Sequence, residues 1–448
     1  MRYFEFILIL EIGILLLLSL FGKKLLNRRI VSAFVLVTLV AHYFLEGIRW
    51  QMYPTYLMAF FILLFYNHDF LRKRKWYIKT ILIFCLLLLA VSGAVAKLVP
   101  VFDLPDTTSR YAVGTSNFTL EDSKRSNRKL NMKFWFPTSK IGSPDGVYSE
   151  NPVQTLDGLF DMPGFVFGHL NRVETETYNN AEILNDSIKF PLVVYSHGAA
   201  SSHLDNTGLL REIAGEGYVV LALDHDFSFS DYNLKKSDAM TLEYVAQKAF
   251  ITDLIDKVVP NQVQDIEFIL GNLPNSNYNL VDHINFEKIA LMGHSLGGTT
   301  ATDASFNVQG IQAIVNMDGP LNTASIEQLE LPFLYMSSFS PDISDKSLEE
   351  KGLPDAMLYR RVKQWELENV YRLHDRNTIG FHWVRFRNAG HMDFTDVPFM
   401  LPIMKTDSYD EHKGHLLKSS VILDFIDIHL KNGKNYQKVK DQSLEWIK

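Results

Sequence analysis

Lys288-Ile289-Ala290-Leu291-Met292-Gly293-His294-Ser295-Leu296-Gly297-Gly298 is the stretch that decides the fold. Its first five residues form a short apolar run suited to a buried strand, and Thr299–Ala304 can continue as a helix. Between them, Gly293-His294-Ser295-Leu296-Gly297 reads G-x-S-x-G. A strand-to-helix turn this tight strains its central residue and projects the serine oxygen from the backbone. Glycines at 293 and 297 remove the Cβ atoms that would collide where strand and helix cross. A bare G-x-S-x-G carries little weight. Strand, motif, double glycine and helix together mark Ser295 as the candidate nucleophile.

A serine hydroxyl is a weak nucleophile until a histidine takes its proton and an acid orients that histidine. In α/β-hydrolases these groups follow in the order Ser, Asp or Glu, His. Downstream of Ser295, Ile311–Met317 reads as the next strand and ends at Asp318-Gly319-Pro320. Carboxyl ends of parallel strands are where active-site groups gather, which makes Asp318 the first choice for the acid. Asp342, beyond the following strand Pro332–Ser337, is its rival. For the base, Phe381–Phe386 reads as a last strand, and Arg387-Asn388-Ala389-Gly390 turns into His391. His382, within that strand, and His374, in a polar segment, are poorer candidates. A terminal helix is expected around 416–430.

An acyl-transfer site also needs backbone N–H groups for the oxyanion. Pro191–Tyr195 reads as a strand running into Ser196-His197-Gly198-Ala199, so the expected donors are the amides of Ala199 and Leu296. His197 is read as stabilising this loop. A further strand, Tyr218–Leu223, ends in Asp224-His225-Asp226, a cluster that shapes nearby loops and is a weak metal site. No metal or organic cofactor is expected.

Several stretches are similar to platelet-activating factor acetylhydrolase and its relatives. They are Phe134-Trp-Phe-Pro-Thr138, Pro191-Leu-Val-Val-Tyr-Ser-His-Gly198, Leu223-Asp-His-Asp226, Gly293–Gly298, Asp318 and His391-Met-Asp-Phe-Thr-Asp396. The resemblance covers about residues 130–430. It implies an α/β-hydrolase fold with a mostly parallel, doubly wound sheet. It also implies an acid directly after the strand that follows the nucleophile helix, and calcium-independent hydrolysis of esters, often short or oxidised acyl chains on phospholipids. It leaves out the first hundred residues, and the loops between 340 and 373, expected to shape the acyl pocket, carry none of its motifs.

Across 448 residues the composition is 47% hydrophobic, but the apolar residues are concentrated at the front. Phe4–Phe21, Ile30–Ile48, Tyr53–Tyr66 and Tyr77–Leu98 are four strongly apolar stretches. A bilayer core of ~30 Å needs ~20 apolar helical residues, so a bundle of about four transmembrane helices is expected over residues 1–99, the third being the shortest. Glu11 and Glu46 are costly there unless they face neighbouring helices or an interface. The further stretches behind the first, and the lack of a small-x-small cleavage site, argue against a signal peptide. Lys23, Lys24, Arg28 and Arg29 follow the first stretch; Arg72, Lys73, Arg74, Lys75 and Lys79 follow the third. Basic loops stay cytoplasmic, so the N-terminus and the large domain are expected on the extracytoplasmic side of a cell membrane.

The only cysteine, Cys85, lies in the fourth stretch, so the large domain has no disulfide support. The formal net charge of −7 names no partner, and no nucleic-acid partner is expected. Residues 100–130 read as a polar linker, and 131–448 as one α/β-hydrolase catalytic domain in which Leu159–Gly168 is an apolar loop covering the core or forming a membrane-facing lip. The expected function is a membrane-anchored serine ester hydrolase acting on a small ester or lipid. The alternatives are amide hydrolysis or acyl transfer on the same groups, or a sensory protein with a hydrolase-like ectodomain.

Overall fold

A computed structural model gives the architecture of the chain. The described residues are 1–21, 27–65, 76–107, 109–156, 162–185, 189–199, 201–225, 229–234, 244–338, 356–376, 380–406, 408–431, 433 and 438–447. Among the described residues four α-helices come first: α1 (Tyr3–Leu20), α2 (Arg28–Ala41), α3 (Tyr53–Phe65) and α4 (Trp76–Leu98). Their cores bring together Leu8, Ile12, Val35, Met58, Ile62, Leu82 and Leu89, while bulky residues such as Phe34, Phe60 and Phe84 face outward. Small residues let α1 and α4 approach: Gly13 faces Leu89 and Gly93 faces Ile9.

Among the described residues three helices, Tyr3–Leu20, Arg29–Glu46 and Trp76–Leu98, are long and apolar enough to cross a membrane by length and composition. The stretch expected as a third span is described only as far as Phe65. Among the described residues it is a helix of 13 residues, about 20 Å long at 1.5 Å per residue, against a hydrocarbon core of ~30 Å.

The two costly carboxylates do face helix neighbours. Glu11 accepts a hydrogen bond from Thr38 Oγ1 at 3.0 Å. Glu46 accepts the Phe4 and Glu5 N–H groups at 2.7 and 3.2 Å, closing the start of α1. Arg49 is buried, gripping Glu5 with Nε and Nη2, both at 2.6 Å, and the carbonyls of Ala96 and Val99 at the end of α4. This ionic clasp ties together the ends of α1 and α4. The large domain rests on the same end, where Trp50 Nε1–H donates to the Val166 carbonyl at 3.2 Å and its ring meets Phe165 edge-on.

The large domain is built on one ten-stranded sheet, in the order β10-β9-β8-β7-β6-β4-β5-β2-β1-β3. The strands are β1 (Ala112–Asp122), β2 (Arg128–Thr138), β3 (Thr177–Asn179), β4 (Phe190–Ser196), β5 (Val219–Leu223), β6 (Ile284–His294), β7 (Ile311–Met317), β8 (Phe333–Ser337), β9 (Phe381–Phe386) and β10 (Leu444–Ile447). From β5 through β9 neighbouring strands run parallel, whereas β2 lies antiparallel to β1 and β5, and β10 antiparallel to β9. The sheet is therefore mixed at its edges. Its first strand falls within residues 100–130, read from composition as a linker.

Strands β4, β5 and β8 are buried along their whole length, as continuous Val/Leu/Phe runs require when both faces are covered. One face packs under α5 (Thr207–Gly215) and α10 (Glu411–Lys431), with Leu209, Ile213, Ile422 and Phe425 in the core. The other lies under α7 (Val259–Asn272), α8 (Leu296–Ala304) and α9 (Ala356–Asp375), with Ile266, Ile269, Leu296 and Leu367. Between these sits α6 (Tyr244–Asp253), joined to α7 by a π turn. The expected terminal helix is α10, and the apolar loop before residue 168 is in part a 3-10 helix, Gly164–Arg172. In that loop Phe167 is buried and Phe165 is half-exposed against Trp50.

Candidate active site

Strand β6 ends at His294 and α8 begins at Leu296, leaving Ser295 alone to make the turn at φ 54° and ψ −126°. That left-handed conformation costs a non-glycine residue about 1–3 kcal/mol and persists only where the surroundings over-determine it. Ser295 N–H donates to Met317 O at 2.9 Å, and its carbonyl accepts Gly298 N–H at 2.9 Å. A Cβ on Gly293 would run into the Gly297 backbone, and one on Gly297 into the carbonyls of Ser196 and His197. Both glycines are there because three pieces of backbone meet at one point.

Asp318 lies at the end of β7, also at positive φ, 59°. Its N–H donates to Met336 O at 2.7 Å, and Asn316 Oδ1 accepts Gly319 N–H at 2.8 Å, which sets the turn. The carboxylate accepts three hydrogen bonds: Ser338 N–H at 2.9 Å, Ser338 Oγ at 2.7 Å, and His391 Nδ1 at 2.7 Å. Burial alone would raise this carboxyl. The Lys363 ammonium and the His391 and Ser338 hydrogen bonds overcome it and hold Asp318 well below the ordinary carboxylate range.

His391 opens a 3-10 turn, His391–Phe394, after β9. Asp393 accepts Gly390 N–H at 2.6 Å, and Phe394 is buried edge-on against Phe386 at 5.3 Å, so the residues just after His391 anchor it. The Lys418 ammonium of α10 holds the Phe394 carbonyl at 2.8 Å. With Nδ1 on Asp318, Nε2 of His391 lies 2.9 Å from Ser295 Oγ. Ser295, His391 and Asp318 thus form one hydrogen-bonded series at the carboxyl edge of the sheet. Of the other candidates, His382 lies within β9 and His374 at the end of α9, and Asp342 lies outside the described residues.

Sequence reading missed His294, the x before the serine. It is buried, stacks obliquely on His391 at 4.6 Å, and donates from Nε2 to the His391 carbonyl at 3.0 Å. Burial, then the neighbouring His391, depresses this imidazole far below its ordinary value, so it serves as a neutral donor. The motif fixes the position but not the residue type, so the signal was weak.

Ala199 follows β4 in the turn that begins at Gly198. A Cβ on Gly198 would touch the Ser295 Cβ at 3.3 Å, which places this turn against the serine. Leu296, at the start of α8, is 3% exposed, and its amide belongs to the helix N-terminus, where N–H groups have no intrahelical partner. His197 bridges two backbones: Nδ1–H donates to Gly198 O at 2.8 Å and Nε2 accepts His225 N–H at 3.2 Å.

The cluster after β5 splits apart. Asp224 pairs with His203 at 2.7 Å, while His225 lies between Ser196 Oγ at 2.7 Å and Asp265 at 3.1 Å. Asp226 lies outside the described residues. Asp265 is further held by Arg125 and Arg128, making this second Ser-His-Asp series a fully buried brace between β4, β5 and α7. Among the described residues, Glu5, His42 and Glu46 have potential metal-ligand atoms within 4.8 Å of one another. Arg49 and the α1 amides already engage the two carboxylates, and Tyr56 lies 2.5 Å from His42 Nε2.

Comparison with known proteins agrees with this fold. A family model described as platelet-activating factor acetylhydrolase, isoform II, matches residues 98–252, and one for the alpha/beta hydrolase fold matches residues 191–344. The dog platelet-activating factor acetylhydrolase is 22% identical over 280 residues, covering 52% of this chain and 60% of the relative. The Bos taurus protein of the same name is 21% identical over 276 residues, with the same coverage. The chain thus spans 60% of the length of these curated relatives. Among solved structures, a ferulic acid esterase from Streptomyces cinnamoneus superposes with a TM-score of 0.57 at 22% identity, over 78% of this chain and all of that one. Fold and sequence together make the chain a platelet-activating factor acetylhydrolase-like α/β-hydrolase.

Proposed function

We propose that the chain is a membrane-anchored serine ester hydrolase whose catalytic domain faces outward. The observation that carries this reading is the series Ser295 Oγ, His391 Nε2 and Nδ1, Asp318, with both hydrogen bonds under 3 Å. His391 takes the Ser295 proton as Oγ attacks the ester carbonyl, and Asp318 keeps Nδ1 protonated and stabilises the imidazolium. The amides of Ala199 and Leu296 receive the oxyanion. His391 returns the proton to the leaving alcohol, then activates a water that hydrolyses the acyl-enzyme. The names of the relatives support a short acyl group, and the three long apolar helices support anchoring.

The test uses the full chain in detergent, a fluorophosphonate probe, and p-nitrophenyl esters from acetate to palmitate. Wild-type protein is labelled and turns over the short esters best, and Ser295→Ala loses both. Labelling of Ser295→Ala at full intensity would identify another nucleophile, and a preference for long chains would replace the short-acyl reading with a lipase-like one.

A further inference from the structure

Two turns flank Ser295, and neither belongs to its own strand. One is Gly198–Ser201 after β4, closed by Ser201 N–H donating to Gly198 O at 3.2 Å; a Cβ on Gly198 would come within 3.3 Å of the Ser295 Cβ. The other is His391–Phe394 after β9, which presents Nε2 to the serine. Acyl transfer requires both to hold their places at once, since one bears the base and the other the Ala199 amide. In the sheet β6, β7 and β8 lie between β4 and β9, so strand pairing does not join the two turns directly.

A buried side chain joins them. Lys418 of α10 is 1% exposed, and its ammonium donates to Phe394 O at 2.8 Å and to Asn206 Oδ1 at 3.0 Å. Asn206 immediately precedes α5. Its Nδ2 donates to the Tyr195 hydroxyl at 2.7 Å, Tyr195 donates to Asp205 Oδ1 at 2.6 Å, and Ser201 Oγ donates to Asp205 Oδ2 at 2.8 Å. An unbroken series of side-chain hydrogen bonds therefore runs from the base turn to the oxyanion turn. Its direction is unique. Lysine can only donate and a carboxylate only accept, so the amide and hydroxyl between them have one orientation each.

The lysine is poorly explained as a stabilising charge. Burial lowers its ammonium to about 8, opposed by Asp396, Asp205 and Asp393. Among the described residues it forms no ion pair, and both oxygens it reaches are neutral. An apolar side chain of similar volume would avoid that desolvation cost. What the ammonium supplies, and an apolar side chain would not, is a donor to each of two segments far apart in the chain. A second tie, Asp396 N–H to Asp205 O at 2.7 Å, joins the same segments through backbone and leaves them attached if the lysine is lost.

We infer that Lys418 is a positioning residue for acyl transfer: through Asn206, Tyr195 and Asp205 it fixes the Gly198–Ser201 turn relative to the His391 turn. The inference rests on the ester-hydrolase reading above and extends it to a residue outside the catalytic series. The bond-making chemistry is unchanged. Lys418 governs the simultaneous fit of His391 Nε2 and the Ala199 amide around the reacting acyl group, which bears on kcat and not on substrate capture.

The test is a double-mutant cycle on the full chain in detergent: Lys418→Met, Ser201→Ala and the pair, read as kcat and KM for p-nitrophenyl acetate beside thermal unfolding. Lys418→Met should lower kcat about 10- to 100-fold with KM within about twofold, the scale of a misplacement of about 1 Å. Ser201 is half-buried, and Ser201→Ala should lower kcat about fivefold, as loss of one hydrogen bond predicts. Losses at independent sites multiply. On one path, the pair should lose no more than Lys418→Met alone, within about twofold. If Lys418→Met does not fold, Asn206→Leu takes its place in the cycle, because it cuts the same path one residue later. Multiplied losses, a change confined to KM, or an unchanged kcat in either folded single variant would overturn the inference and leave the hydrolase reading standing. No serine-dependent turnover by the wild-type chain would overturn both.

Discussion

Replacing Asp318 by Asn keeps the shape of the acid and removes its ability to orient His391. The carboxylate accepts from His391 Nδ1 at 2.7 Å and from Ser338 N–H at 2.9 Å. An amide has one oxygen for these two demands. If that oxygen keeps Ser338 N–H, the amide nitrogen faces His391 and donates to Nδ1, and Ser338 Oγ can accept its other hydrogen. The imidazole proton then moves to Nε2, aimed at Ser295 Oγ 2.9 Å away, and the base can no longer take the serine proton. The flipped amide would leave the buried Ser338 N–H facing another N–H, at a cost of about 1–3 kcal/mol, so the unproductive tautomer wins. The corresponding change in a serine protease lowers kcat by about 10⁴-fold. That is about 5.5 kcal/mol of barrier, and a loss of 10³–10⁴-fold is expected here. The assay is steady-state hydrolysis of p-nitrophenyl acetate by Asp318→Asn and Asp342→Asn, with thermal unfolding run alongside. A loss below tenfold in a folded Asp318→Asn protein, or a larger loss in Asp342→Asn, would refute the argument.

Three further outcomes are expected. Gly293→Ala places a methyl group inside the Gly297 backbone, so it should lower the thermal midpoint by an amount on the order of 1–3 kcal/mol of stability and abolish probe labelling; an unchanged melt would contradict the close approach. His415 is buried, and burial, then Lys418 and Arg211, lower its imidazole to about 2 from 6.5. The unfolded chain therefore binds a proton below about pH 6.5 that the folded chain refuses, and stability falls with falling pH at about 1.4 kcal/mol per unit. His415→Leu should flatten the acid limb of a urea-midpoint-against-pH curve by that slope, and parallel curves would rule it out. Finally, protease added outside intact cells should digest the large domain; complete protection would reverse the proposed orientation.

The centre of the sheet was legible because its strands are short, apolar and each punctuated at the carboxyl end: Ser196-His197-Gly198 after β4, Asp224 after β5, the serine motif after β6 and Asp318-Gly319 after β7. Its edges were not. β1 carries Thr115, Asn117 and Thr119 in alternation and lies in a stretch rich in charge, so composition reads it as linker, yet eleven residue pairs zip it to β2. β10 is four residues long and is recognisable only by its pairing with β9. At the site, spacing could nominate Ser295, Asp318 and His391, because strand ends and glycine turns are local signals. His294 acts through a contact across 97 residues, and the motif leaves its residue type open, so its role leaves no distinctive mark on the sequence.

The clasp of Arg49 on Glu5 and on the last carbonyls of α4, with Trp50 seated on Val166, makes the junction between helices and domain stiff. A flexible tether would let a catalytic centre sweep a hemisphere of solution. A stiff one holds it at a constant height above whatever surface the helices occupy and turns any tilt of the bundle into a displacement of Ser295. For such a molecule the effective substrate concentration is set by what protrudes to that height, and lengthening the 100–107 segment by a few glycines would change which esters are reached without altering a single catalytic distance.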